Sequence, residues 1–269
     1  MGSAGVRAAV VTALVVVVCS AWAAAPAAAG TGECGGHAPT IVGGPRNDVL
    51  VGSAGRDVIA GRGGNDVIRG LGGDDVICPG SGNDVVFGGG GRDSVLASLG
   101  NDRIEGDRGK DVLGGGRSGG GPGADFVSGG PGGDVVRGGS GRDVLRGGAG
   151  NDILQAGMNH ERYLGGAGID VLSFLGFSRR VDVNLLKGFA DVSKRRSSVE
   201  GVENVVGGGG HDQLVGDGHA NRLRGGPAGD LIFGKAGNDH LAGSRGHDTL
   251  NGGKGTDTCT GGEVTSRCE

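Results

Sequence analysis

The sequence predicts an all-β fold: a right-handed parallel β-roll, with short strands wound into two facing sheets. Two observations carry this. Aspartate recurs every nine residues along most of the chain, preceded by glycines and followed by an apolar pair, as in Gly61-Arg62-Gly63-Gly64-Asn65-Asp66-Val67-Ile68. No long apolar pattern of helical period appears past residue 30, which removes an ordinary helical core. Glycine supplies 67 of 269 residues. A period of three would mean collagen and no period would mean disorder, but a period of nine is neither.

Each nine-residue unit divides into a turn and a strand. With the aspartate at position six, the beat runs through Asp48, Asp57, Asp66, Asp75, Asp84, Asp93, Asp102 and Asp111. It resumes after a slip of five at Asp125, Asp134, Asp143 and Asp152, then Asp170, and returns with Asp212, Asp230, Asp239, Asp248 and Asp257. Positions one to six form the turn, where glycine permits tight curvature and positive φ. Positions seven to nine form a strand of about three residues, whose side chains alternate between faces. Position eight is apolar almost throughout (Leu50, Ile59, Ile68, Ile77, Val86 and onward to Leu250) and points inward. Position seven, often valine as in Val49, Val58, Val67, Val76 and Val85, points outward. Two units make one coil of 18 residues, with strands about 4.8 Å apart along the stack. Asp48 and Asp66 therefore share one edge of the roll, and Asp57 and Asp75 share the other.

The interruptions set the organisation. Residues 1–29 read as a signal peptide: one charge at Arg7, an apolar run around Val15-Val16-Val17-Val18, then Ala27-Ala28-Ala29 before Gly30. The rival is an uncleaved membrane anchor. Residues 30–173 form a first repeat block with an N-terminal cap, and residues 203–262 form a second. Between them, 174–202 is a spacer holding the alternating Val181-Asp182-Val183-Asn184-Leu185, expected to add short strands that cover part of the roll. Gly115 to Gly119 reads as a bulged turn. Residues 263–269 are a disulfide tail. Four cysteines remain after the leader, and an even number in an exported chain suggests two disulfides. Of three possible pairings, Cys34–Cys78 and Cys259–Cys268 place one bond near each end. Cys259 and Cys268 are nine apart, so both would fall in the inward slot on opposing strands, and the last coil would have to narrow.

The repeat resembles the RTX nonapeptide of hemolysin-type calcium-binding proteins, G-G-x-G-x-D-x-U-x, over residues 43–173 and 203–262. Calcium is a hard cation that takes six to eight oxygen ligands in tolerant geometry. Glycine turns offer unshielded carbonyls and the aspartates add charge. The resemblance implies several calcium ions held between stacked turns by the aspartates named above. Weak rungs are expected where Glu161, Asn221 and Glu203 occupy the aspartate slot and where Ala97-Ser98 replaces a glycine pair.

No enzyme is expected. His160-Glu161 lacks the second histidine of a zinc protease. The match of Gly116-Arg117-Ser118-Gly119-Gly120 to a nucleophile elbow lacks a strand–turn–helix setting. Net charge is −4 and no basic block interleaved with aromatics exists, which argues against nucleic acid. No apolar segment after the leader is long enough to span a membrane. The expected protein is secreted or extracellular, folds on calcium, and is structural or adhesive, with cell-wall or surface components as partners. The alternative is a calcium-dependent accessory module of a secreted hydrolase.

Overall fold

The computed structural model describes residues 33–116 and 123–268. The expected leader lies outside them, as do most of the five-residue insertion and of the nucleophile-elbow match. The described chain is all β and winds into parallel coils, about 12 turns of a solenoid. Successive units alternate between two sheets, of 12 and 14 strands among the described residues. The 18-residue register is direct: Ile59 pairs with Ile77 in one sheet, and Ile68 with Val86 in the other. Strands reach seven residues, as in Val85–Gly91, rather than the three expected. The backbone stays extended through the first glycines of the following turn, so the ladder continues into it.

The inward column forms the core. Ile59, Ile68, Ile77, Val86, Ile104, Leu113, Leu145, Leu154, Leu172, Leu214, Leu223, Ile232, Leu241 and Leu250 are fully buried. Each buried aliphatic contributes roughly 1.5–3 kcal/mol. The slip of five leaves the stack intact: Ile104 pairs with Val127, and Val112 with Val135, across the inserted residues. Extra length placed in a turn rather than in a strand costs little loop entropy.

The spacer does not lie over the roll. Strands Val181–Asn184, Phe189–Val192 and Arg195–Glu200 pair antiparallel with one another and insert in line within the larger sheet. In the smaller sheet Leu172 pairs directly with Val205. The larger sheet thus holds two extra strands, about 10 Å of added height on one side. The largest fully buried side chains, Tyr163 and Phe174, occur at this point of the chain. Phe174 meets Phe177 edge to face with centroids 5.7 Å apart.

One disulfide lies near each end. Cys34–Cys78 spans 5.7 Å between Cα atoms and lays the N-terminal segment on the outer face of the smaller sheet. Val58 and Val76, expected outward and exposed, are buried beneath it. Cys259–Cys268 spans 5.6 Å. Only Cys259 keeps the inward register, pairing with Leu241. Leu250 pairs with Thr265, so the last coil is 15 residues long and Thr265, not Cys268, takes the inward slot. Three residues missing from the last turn bring the two sulfurs together. Among the described residues no helix is long and apolar enough to cross a membrane.

Candidate metal centre

Each aspartate is fixed by its neighbours one coil away. Asp66 N–H donates to Asp84 Oδ1 at 2.8 Å, and Asp84 N–H donates to Asp102 Oδ1 at 2.9 Å. The same bond links Asp93 to Asp111 and Asp134 to Asp152, each at 2.8 Å. It crosses the slip as well, from Asp102 to Asp125 and from Asp111 to Asp134, both at 2.8 Å. Two columns of carboxylates therefore run along the two edges, as the spacing predicts. Asp57, Asp66, Asp75, Asp84, Asp93, Asp102, Asp111, Asp125, Asp134, Asp143, Asp152, Asp170, Asp212, Asp230, Asp239, Asp248 and Asp257 are buried, and Asp48 at the end is half-buried.

One oxygen of most of these carboxylates is left over. Oδ2 of Asp66, Asp75, Asp84, Asp93, Asp102, Asp111, Asp134, Asp143, Asp152, Asp170, Asp230, Asp239, Asp248 and Asp257 is buried without a hydrogen-bond partner. A buried charged oxygen without a partner is costly. Most of these Oδ2 atoms lean over the glycine five residues earlier, commonly beside a carbonyl from the next coil, while Pro79 and Ala97 take that place before Asp84 and Asp102. A Cβ on Gly106 would lie 2.5 Å from Asp111 Oδ2 and 2.6 Å from Gly129 O; one on Gly88 would lie 2.5 Å from Asp93 Oδ2 and 2.8 Å from Gly106 O. Glycine keeps these oxygen-lined cradles open. No three His, Cys, Asp or Glu side chains converge among the described residues. The donor set is therefore one carboxylate per turn with backbone carbonyls: oxygen only, suited to a hard cation and unsuited to zinc or copper.

The RTX calcium-binding nonapeptide repeat pattern matches residues 42–77, 79–117, 119–154, 137–172, 198–232 and 233–263. The chain belongs to the RTX calcium-binding repeat family. No curated protein matches it. The matched segments leave out 173–197, which holds the first two antiparallel strands of the spacer and the start of the third. The cradles fit the ion that RTX repeats bind, since every donor is oxygen and the orphaned Oδ2 atoms lack only a cation.

Burial dominates the electrostatics of the RTX columns. It pushes Asp93, Asp102, Asp134 and Asp170 up to about 6, and Asp111, Asp125 and Asp230 up to about 7. The backbone N–H on each carboxylate opposes the rise, and stacked aspartates such as Asp93 beside Asp111 add to it. Asp66, Asp75, Asp84, Asp143, Asp152, Asp212 and Asp239 are also raised, again by burial first.

Some rungs are closed by the chain itself. Tyr163 hydroxyl donates to Glu161 Oε2 and accepts Gly157 N–H at 3.1 Å, which satisfies the glutamate without a metal. Burial raises Glu161 to about 7. Asn221 Nδ2 donates to Glu203 O at 2.8 Å, while its Oδ1 accepts Asp217 N–H at 2.9 Å. Both oxygens of Asp212 are used, Oδ1 by Val181 N–H at 2.8 Å and Oδ2 by Gly208 N–H at 2.7 Å. Glu203 Oε2 accepts Asp170 N–H at 2.8 Å and so carries the column across the spacer. At the N-terminal end Oδ2 of Asp48 caps Gly44 N–H at 2.5 Å, and that of Asp57 caps Ser53 N–H at 2.6 Å. A second ladder escaped the sequence reading. Asn47, Asn65, Asn83 and Asn101 stack 18 apart, and each Oδ1 accepts the N–H of the equivalent residue one coil later, at 2.7–2.8 Å. The signal was the residue before each aspartate, read only as part of the turn.

Filling a cradle tests its role. Gly106→Ala is expected to cost about 2 kcal/mol, within the range for overpacking, and to shift the calcium midpoint several-fold upward. Gly133→Ala serves as the control, because its Cβ would come no closer than 3.4 Å to Asn151 O. Parallel calcium titrations by circular dichroism decide: equal midpoints would remove the cradle from the binding site.

Proposed function

We infer that this chain is an exported calcium-binding roll, structural or adhesive at the cell surface, whose fold depends on the ion. The row of buried, partnerless Oδ2 atoms carries this reading. The ligands are the aspartates with an orphaned oxygen, joined by carbonyls of the turn glycines. Bound calcium would supply positive charge between coils that otherwise present like charges to one another. The chain's part is to hold each carboxylate still: the backbone N–H fixes Oδ1, burial excludes water, and glycine keeps space beside Oδ2. Asp48, Asp57 and Asp212 take the same slot with Oδ2 already bonded, so they are weaker ligands.

Export is supported by the apolar leader and by two disulfides, which persist in oxidising compartments. The extracellular range of calcium suits sites whose carboxylates are few and whose geometry is flexible. Fractionation of expressing cells tests the placement. Processed protein, shortened by the leader, should appear in the medium or on the wall, with release from the wall on chelation. Full-length protein confined to the cytosol would overturn export and leave calcium binding standing.

A further inference from the structure

The two ends of the roll are built differently from its middle. In the interior every strand has a neighbour on both sides. Among the described residues the first strands, Ile41–Val42 and Val49–Val51, have one on a single side only, so one edge of each is unpaired there. Val49, Val51 and Val42 are 71%, 49% and 45% exposed. Their equivalents one coil on, Val67 and Arg69 beside the first two and Ala60 beside the third, are covered or are charged. Ile41 and Leu50, the first inward residues, are only partly buried. Solenoids normally end in a repeat with a polar outer surface. Among the described residues the segment before Ile41 does not serve as one, because Cys34 is drawn along the outer face onto Val58 and Val76.

The opposite end is complementary. The smaller sheet finishes at Thr258–Thr260 and the larger at Val264–Ser266, where Val264 is 60% exposed. The strand due next in the winding belongs to the smaller sheet, the sheet in which Ile41–Val42 comes first. The carboxylate columns are polar in the same sense. Most interior aspartate N–H groups donate to an Oδ1 one coil further on, and Asp170 donates to Glu203 Oε2 instead. Among the described aspartates, Asp48 stands first in the column beside the larger sheet and Asp257 stands last in the column beside the smaller one. An unpaired strand edge is a template for another chain. When the complementary edge sits at the other end of the same molecule, the contact is heterologous and does not close.

We propose that a second copy of this chain stacks end to end on the first, with the edge of Ile41–Val42 and Val49–Val51 on that of Thr258–Thr260 and Val264–Ser266. The partner supplies the missing rung: the open ladder is paired and the exposed valines are covered. The product is a longer roll with the same strand spacing. This goes beyond calcium binding, and it is independent of what the roll contacts at the cell surface.

Sedimentation of the folded protein in excess calcium tests it. The mean mass of the wild type should climb with concentration without stopping at a dimer. Val49→Lys with Val51→Lys blocks the first end, and Thr258→Lys with Val264→Lys blocks the last. Each double variant alone should sediment as a monomer, with the dichroism and calcium midpoint of the wild type. Mixed one to one, they should form a dimer and nothing larger, since each keeps one usable end. A wild type that stays monomeric at all concentrations overturns the proposal. So does dimerisation of the last-end variant by itself, which would mean first end against first end, or association that neither double variant changes.

Discussion

In chelator at neutral pH the chain will lose most of its β structure, and calcium will restore it. The argument is one of opposing terms. Glycine makes up 67 of 269 residues and loses more backbone freedom on folding than any other residue. The compensating core is narrow, one buried aliphatic for each nine residues over most of the array. Against it stand fourteen buried Oδ2 atoms without partners, arranged in columns of like charge. Nothing else in the described chain neutralises them, because the ion pairs lie on exposed side chains such as Arg92–Asp74 and contribute little. Binding energy for the ion is then folding energy, as in other metal-dependent small folds. Circular dichroism across a calcium titration should show a cooperative gain with its midpoint near the millimolar range of extracellular modules. An identical, well-folded spectrum in chelator and in calcium at pH 7.5 would sink this account.

Period nine made most of this legible. It placed the aspartates on two edges, the aliphatics inside, and the two disulfides at the ends, because a solenoid repeats one local solution and needs no long-range information. What it missed lies where the period fails. Val181-Asp182-Val183-Asn184 declares itself a strand by alternation, but alternation does not name the neighbour. Only the register with Leu214 and with Ala190 shows that it inserts in the larger sheet. Cys268 looked inward by counting nine from Cys259, yet the last turn has lost three residues and counting cannot see a deletion in a degenerate copy. Tyr163 occupies an ordinary inward slot, and its bond to Glu161 depends on two unusual residues lying two apart. The sequence marks each of them as a departure and leaves their pairing unstated.

Acid should stabilise the metal-free roll, the reverse of what most proteins show. The carboxylates of Asp111, Asp125 and Asp230 stand at about 7 when folded, against 3.8 for the ordinary aspartate expected of the unfolded chain. Between those values the folded chain holds more protons than the unfolded one, so stability falls as pH rises. The contribution of these groups is fully present below pH 3.8 and is lost as pH climbs through about 7. In chelator the β signal should therefore be larger at pH 4.5 than at pH 7.5. Calcium reverses the order, because its ligands must be ionised and binding expels their protons. Proton release per ion, followed by pH-stat, should be substantial at pH 6 and small at pH 8, and the apparent affinity should rise across that interval. Two results would contradict the burial argument: a chelated chain that unfolds further on going from pH 7.5 to 4.5, or calcium uptake at pH 6 without release of protons. The first would mean that repulsion among arginines on the outer faces outweighs the neutralised columns. The second would mean that the carboxylates are already ionised before the ion arrives, held so by water inside the cradles.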